Sequence, residues 1–355
     1  MKKFRILSID GGGLRGVVPL TILKKVEEIT GKPIWESFDL IAGTSTGGLI
    51  ASALTIPSTK GTINEKSAKY EINDIIKIYL EDGKTIFPKE KNKIIEIKKE
   101  AKSYLHPMFV ESGIEKVFTK VLEDNMLSDT LTNVMVSTYD LANNKPLFFK
   151  TRVSRSNDEQ NVKLYDICRA TSAGPTYLPA YEFTYIEKNE DYPHRLCIDG
   201  GVYVNNPSLA ALSEFSRHYI EYGYETDKAD IDYDDVFVLS IGTGSFSGSI
   251  SPEEAKNKGK LFWATRISDI MMRGVNKTTD YEMEEMMMDG NYLRLTINIK
   301  DEQYAEMSRS DDEAAKYLIN ETRRQVLENV DLMKKLDDFV IKAELKTENQ
   351  TINNI

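Results

Sequence analysis

Gly43-Thr44-Ser45-Thr46-Gly47, which follows the short run 39–42 (DLIA), decides how this chain is read. The five residues have the form G-x-S-x-G, in which a sharp turn between a strand and a helix lifts a serine hydroxyl clear of the strand end. The small-residue run 47–54 supplies the helix. Glycines suit both flanks, because the corner demands unusual backbone angles and close packing that a Cβ obstructs. A plain glycine-rich turn would satisfy the same five residues, so the rest of the chain has to decide.

Towards the N-terminus, Phe4-Arg5-Ile6-Leu7-Ser8-Ile9 reads as a buried strand running into Asp10-Gly11-Gly12-Gly13-Leu14-Arg15-Gly16, with a helical pattern over 17–28. Consecutive backbone N–H groups in a glycine triplet can face a negative charge, which makes the loop an anion cradle. Gly11, Gly13 and Gly16 also match the G-x-G-x-x-G dinucleotide fingerprint. That fingerprint wants an acid closing the second strand about twenty residues on, whereas Asp39 opens the second strand here. No lysine follows either glycine cluster, against a phosphate loop of the G-x-x-x-x-G-K type. Further along, Arg195-Leu196-Cys197-Ile198-Asp199-Gly200-Gly201 is another strand, ending in an acid on a Gly-Gly turn. Asn206 and Pro207 follow as N-cap and first residue of a helix directed towards Gly223. Alone, Asp199 reads more readily as a turn aspartate than as a site residue.

Together the DGGGLRG loop, the GTSTG elbow and the DGG acid resemble the patatin-like phospholipases, and we take the bacterial type as the nearest kind. Segments 79–88, 170–180 and 239–244 look like parts of the same family in the same order, so the resemblance spans roughly 4–300. It implies a Ser–Asp dyad, with Ser45 attacking an ester carbonyl and Asp199 taking and returning the proton. It also implies an oxyanion hole from Gly11, Gly12 and Gly13, with the Thr46 N–H as an addition, and a loop-fixing or phosphate-facing role for Arg15. The expected substrate is a membrane glycerophospholipid or lysophospholipid, cleaved without metal or organic cofactor. A regulated anti-phage effector with a small-molecule activator is one biological role that the resemblance leaves open. Two other readings stand beside it: a nucleotide-binding protein built on Gly11, Gly13 and Gly16, and a non-enzymatic lipid-binding module.

The histidines His106, His194 and His218 are read as structural or surface residues, and none has metal-ligand spacing to Cys168 or Cys197, which make no disulfide framework. The 355 residues, 41% apolar, are enough for a sizeable core, and no Pro/Ser/Gly-rich linker divides them. Strands expected at 4–9, 39–42, 132–138, 146–151, 195–198 and 235–241 alternate with helical stretches. The expected fold is therefore one α/β domain over 1–340 with a mainly parallel central sheet wrapped by helices. Residues 341–355 are expected to be a polar frayed tail. The apolar run 6–9 is too short for a signal sequence, which suggests a cytoplasmic protein.

Forty-six basic against 56 acidic residues give a net charge of −10, which disfavours nucleic acid and repels an anionic bilayer. Segment 84–102 departs from this, with seven lysines against three glutamates among isoleucines. It is either a solvated face or the peripheral membrane contact. Met271, Met272, Met283, Met286, Met287 and Met288 invite two readings as well: a core stripe through 283, 286 and 287, or an adaptable acyl-chain groove.

Overall fold

The computed structural model describes residues 3–58, 67–87, 109, 112–185, 193–224, 233–246, 248, 250–257 and 259–345. Its strands are β1 (Phe4–Ile9), β2 (Leu40–Thr44), β3 (Asn133–Asp140), β4 (Lys145–Lys150), β5 (Tyr181–Thr184), β6 (His194–Asp199), β7 (Val236–Ile241), β8 (Ser245–Phe246), β9 (Tyr292–Leu295) and β10 (Asn298–Ile299). Near-continuous apolar sequence makes β1, β2 and β7 central: all five residues of β2 and all six of β7 are buried. Such runs fit parallel strands covered on both faces.

The main sheet has the order β5-β6-β3-β2-β1-β7-β9, with β4 on the other edge of β3. From β3 to β9 the neighbours are parallel, whereas β4, β5 and β6 run antiparallel to their partners. Side chains alternate between two cores, as the two-residue strand period requires. Leu7, Ile9, Ile41, Leu239 and Ile241 pack on one face with Leu20, Leu23, Ile50 and Leu54. Phe4, Ile6, Leu40, Val236 and Val238 pack on the other with Leu212, Phe215 and Met283. This is the expected α/β fold, a mainly parallel sheet wrapped by helices.

Three expectations change in detail. The expected tail begins inside a helix: Val330–Lys342 is helical, Ala343 and Leu345 are buried, and Arg5 Nε donates to the Ala343 carbonyl at 2.8 Å. The expectation rested on the polar composition of 341–355 as a whole, whereas Ala343 and Leu345 within 341–345 (IKAEL) join the core and the carbonyls of 342–344 accept from Lys3 and Arg5. The methionine stripe divides, with Met283 and Met287 in the core and Met286 and Met288 exposed at the end of the long helix Lys260–Met286. β5 and β9 had no separate signal, being four-residue edge strands of mixed exposure. From residue 88 onward, the basic segment lies outside the described residues, as does His106. Among the described residues no helix is long and apolar enough to cross a membrane.

Candidate active site

β2 ends at Thr44, and the helix Thr46–Thr55 begins one residue later. Ser45 between them has φ 55° and ψ −123°, a backbone state that L-residues rarely adopt and that costs roughly 1–3 kcal/mol. Two glycines make the corner possible. A Cβ on Gly43 would lie 2.3 Å from the Gly47 carbonyl, and one on Gly47 would lie 2.1 Å from the Ile9 oxygen. Ser45 N–H donates to Thr171 Oγ1 at 2.8 Å, and the Thr171 hydroxyl donates in turn to the Ser137 carbonyl at 2.6 Å.

Strand register brings Asp199 to this corner. β3 is longer than β2, so β2 pairs with its lower part, ending at Thr44 opposite Ser137. β4 occupies the far edge over 135–140, so β6 must take the near edge above β2, where Asp199 pairs with Thr138. Two strands thus approach head-on along one edge of β3, and their C-terminal residues meet. Asp199 N–H donates to the Ala173 carbonyl at 3.0 Å, and Asp199 Oδ1 accepts from Gly201 N–H at 2.7 Å. Asp199 and Ser45 line the same cleft. Burial pushes the Asp199 pKa up to about 6, with the nearby Ser45 hydroxyl and the Gly201 N–H bond opposing. Such a group is ionised at neutral pH and is a stronger base than a surface aspartate.

The glycine loop departs from expectation at one position. Gly11 N–H donates to the Asn205 carbonyl at 3.1 Å, so it is committed to holding the loop and is not open to an oxyanion. Gly12 and Gly13 line the cleft with Ser45, and their N–H groups have no partner among the described residues. Thr46 opens the elbow helix, where first-turn N–H groups lack intrahelical acceptors. Arg15 is buried; its Nε donates to the Gly12 carbonyl at 3.4 Å and its Nη1 to the Ala305 carbonyl at 3.2 Å, a loop-fixing geometry. Asp10 starts the loop buried and is gripped in bidentate fashion by Arg294, whose Nη1 lies 2.8 Å from Oδ1. Asn276 Nδ2 donates to Asp10 Oδ2, and Asn276 Oδ1 accepts from Asn205, closing a polar network behind the loop.

His194 is exposed at the start of β6, five residues from Asp199, roughly 16 Å along a strand and on the opposite face. His218 pairs with Glu221 at 2.8 Å. Neither lines the cleft, which has a volume of about 240 Å³ and is walled by Tyr177, Leu178, Met271, Met272 and Met307. The apolar-groove reading therefore finds its methionines at 271 and 272, and the core reading finds them at 283 and 287. Thr171 and Asn205 went unrecognised in the sequence; a hydroxyl and an amide acting on backbone from distant segments leave no local pattern. Among the described residues no group of three or more His, Cys, Asp or Glu could hold a metal ion.

A nucleophile elbow facing a carboxylate, at the C-terminal ends of an α/β sheet and over an apolar cleft, is the arrangement of an α/β acyl hydrolase. A family model described as patatin-like phospholipase matches residues 7–212, more than half the chain. Patatin-like protein 3 of Arabidopsis thaliana is 33% identical over 321 residues, covering 82% of this chain and 73% of its own. Patatin group M-3 of Solanum tuberosum is 31% identical over 309 residues, covering 82% and 76%. VipD of Legionella pneumophila is a distant structural match, with a TM-score of 0.36 at 11% identity over 90% of this chain and 67% of its own. The chain belongs to the patatin-like phospholipase family and is a lipid acyl hydrolase, a carboxylic ester hydrolase.

Proposed function

We propose that this protein cleaves fatty-acyl esters of membrane glycerophospholipids or lysophospholipids through a Ser45–Asp199 dyad. The observation that carries the reading is the placement of Ser45, on its strained strand–helix corner, and of the buried Asp199 in the wall of one largely apolar cleft. Asp199 accepts the Ser45 proton as the hydroxyl attacks the ester carbonyl, then returns it to the leaving alcohol. The N–H groups of Gly12 and Gly13, joined by that of Thr46, stabilise the tetrahedral oxyanion. Losing one such donor typically costs about 10²- to 10³-fold in rate. Arg15 fixes the loop. The nucleotide reading is disfavoured, because Gly11 N–H and Leu14 N–H are bonded to Asn205 and Met307 carbonyls.

The test is labelling by a fluorophosphonate, which needs an activated serine. Labelling of Ser45 should rise with pH along a limb centred near the Asp199 pKa of about 6 and level off above pH 7. Labelling elsewhere in the chain, or a limb above pH 8, would remove the dyad.

The bacterial type, a cytoplasmic location and a regulated anti-phage role with a small-molecule activator belong to the same proposal. They rest on the resemblance and on the sequence. The same holds for peripheral membrane contact through segment 84–102. Replacing Lys91, Lys93, Lys98 and Lys99 by glutamine should weaken binding to anionic vesicles, by about 1 kcal/mol for each lysine near the surface. Unchanged vesicle sedimentation at low salt would make the segment a solvated face.

A further inference from the structure

A second compartment, of about 230 Å³, adjoins the cleft and shares Tyr177, Asn205, Met272 and Met307 with it as common wall. The two differ in chemistry. Ser45 and the apolar groups line the first, whereas Arg273, Ser245, Glu302 and Glu306 contribute polar and charged groups to the second. We propose that this second compartment is the head-group subsite for zwitterionic phospholipids, in which a phosphodiester is followed by a short ammonium-bearing alcohol. The inference rests on the acyl-hydrolase reading given above and adds to it the class of head group.

The order of charges carries the argument. Arg273 projects from the long helix Lys260–Met286 and is half-buried, and its Nη1 donates to the carbonyls of Phe246 at 3.2 Å and Gly248 at 3.3 Å. Those bonds fix the guanidinium plane, and a fixed fork is suited to phosphate oxygens. Glu302 and Glu306 are exposed, so they stand at the rim, with the Ser308 hydroxyl donating to Glu306 Oε1 at 2.6 Å. The cation is therefore deeper and the carboxylates are outermost. In a glycerophospholipid the phosphate follows the glycerol directly and the ammonium lies beyond it. With the ester carbonyl over Ser45, the phosphate falls beside Arg273 and the ammonium reaches the two glutamates. The volume corresponds to about eight waters, comparable with a phosphate carrying a two-carbon amine. Arg15 stands at the inner wall, but its bonds to Gly12 and Ala305 assign it to the loop.

The experiment measures kcat/KM on phosphatidylethanolamine, phosphatidylglycerol and diacylglycerol with identical acyl chains in the same detergent micelles. Arg273→Gln should lower the phosphatidylethanolamine-to-diacylglycerol ratio by about 10- to 100-fold, the loss expected of one charge-assisted bond. Arg273→Lys should recover part of it, having the charge without the fork. Glu302→Gln combined with Glu306→Gln should lower the rate on phosphatidylethanolamine relative to both phosphatidylglycerol and diacylglycerol, without lowering the phosphatidylglycerol-to-diacylglycerol ratio. If Arg273→Gln depresses all three substrates alike, the arginine merely holds the Phe246–Gly248 backbone and the subsite is refuted. If the wild-type protein cleaves none of the three, the acyl-hydrolase reading itself falls, a result distinct from an unchanged ratio.

Discussion

Ser45→Ala and Asp199→Asn should each reduce ester hydrolysis by about 10⁴-fold or more, and the double variant should be little worse than either one, because groups that act as a unit are not additive. The folding control has a definite sign. Burial holds the Asp199 pKa at about 6, above the ordinary carboxylate value of about 3.9 in an unfolded chain. The folded protein therefore binds the proton more tightly, and stability attributable to this group is complete below about pH 4 and lost as pH rises through about 6. Asparagine keeps the shape and an oxygen for Gly201 N–H but does not ionise. Asp199→Asn should thus unfold no earlier than wild type at pH 7 to 8, with a gain bounded by about 3 kcal/mol, and should match it below pH 4. Urea titrations at the two pH values, beside kcat/KM on a soluble ester, check both parts. A folded Asp199→Asn protein with substantial turnover would end the dyad assignment.

Arg294→Met should be the most damaging substitution outside the proposed dyad. Asp10 is 1% exposed and takes a bidentate bond from Arg294, which also donates to Ser240 Oγ at 2.8 Å and pairs with Asp280 at 3.3 Å. Removing one partner of a buried ion pair leaves an uncompensated charge and costs about 3–5 kcal/mol. The carboxylate in question begins the glycine loop, so the distortion reaches Gly12 and Gly13 directly. Activity should therefore fall with stability, and both should partly recover in acid, where Asp10 becomes neutral. Adding Asp10→Asn should restore stability, since the orphaned charge disappears. Chemical denaturation measures the effect; a loss below about 1 kcal/mol would show the pair to be dispensable.

The central strands were legible because a parallel strand covered on both faces must be apolar throughout, and β1 and β7 carry that signature in FRILSI and VFVLSI. The elbow was legible for a related reason: Gly43 and Gly47 lie within a few ångströms of backbone at positions where any side chain collides. Local sterics write themselves into local sequence. β5 and β9 were not legible, because four-residue edge strands are defined by their neighbours and leave too short a pattern to stand out. The start of the expected tail misled for a similar reason: Ala343 and Leu345 are buried in the core, and the Ala343 carbonyl is taken by Arg5, a partner more than 300 residues away in sequence.

The sequence by itself determined the class of chemistry: a serine on a strand–helix corner, a glycine triplet before a helix and an acid on a Gly-Gly turn. Each is a short-range feature whose residue types are dictated by backbone geometry within a few positions. Only the tertiary structure decided how they meet. That β6 descends onto the C-terminal end of β2 follows from β3 being longer than β2 and from β4 occupying its other edge, a matter of register between segments about 150 residues apart. The same applies to the loop, where the Gly12 and Gly13 N–H groups meet no acceptor among the described residues while Gly11 gives its own to Asn205. Glycines alike in sequence become different groups once distant carbonyls are placed beside them.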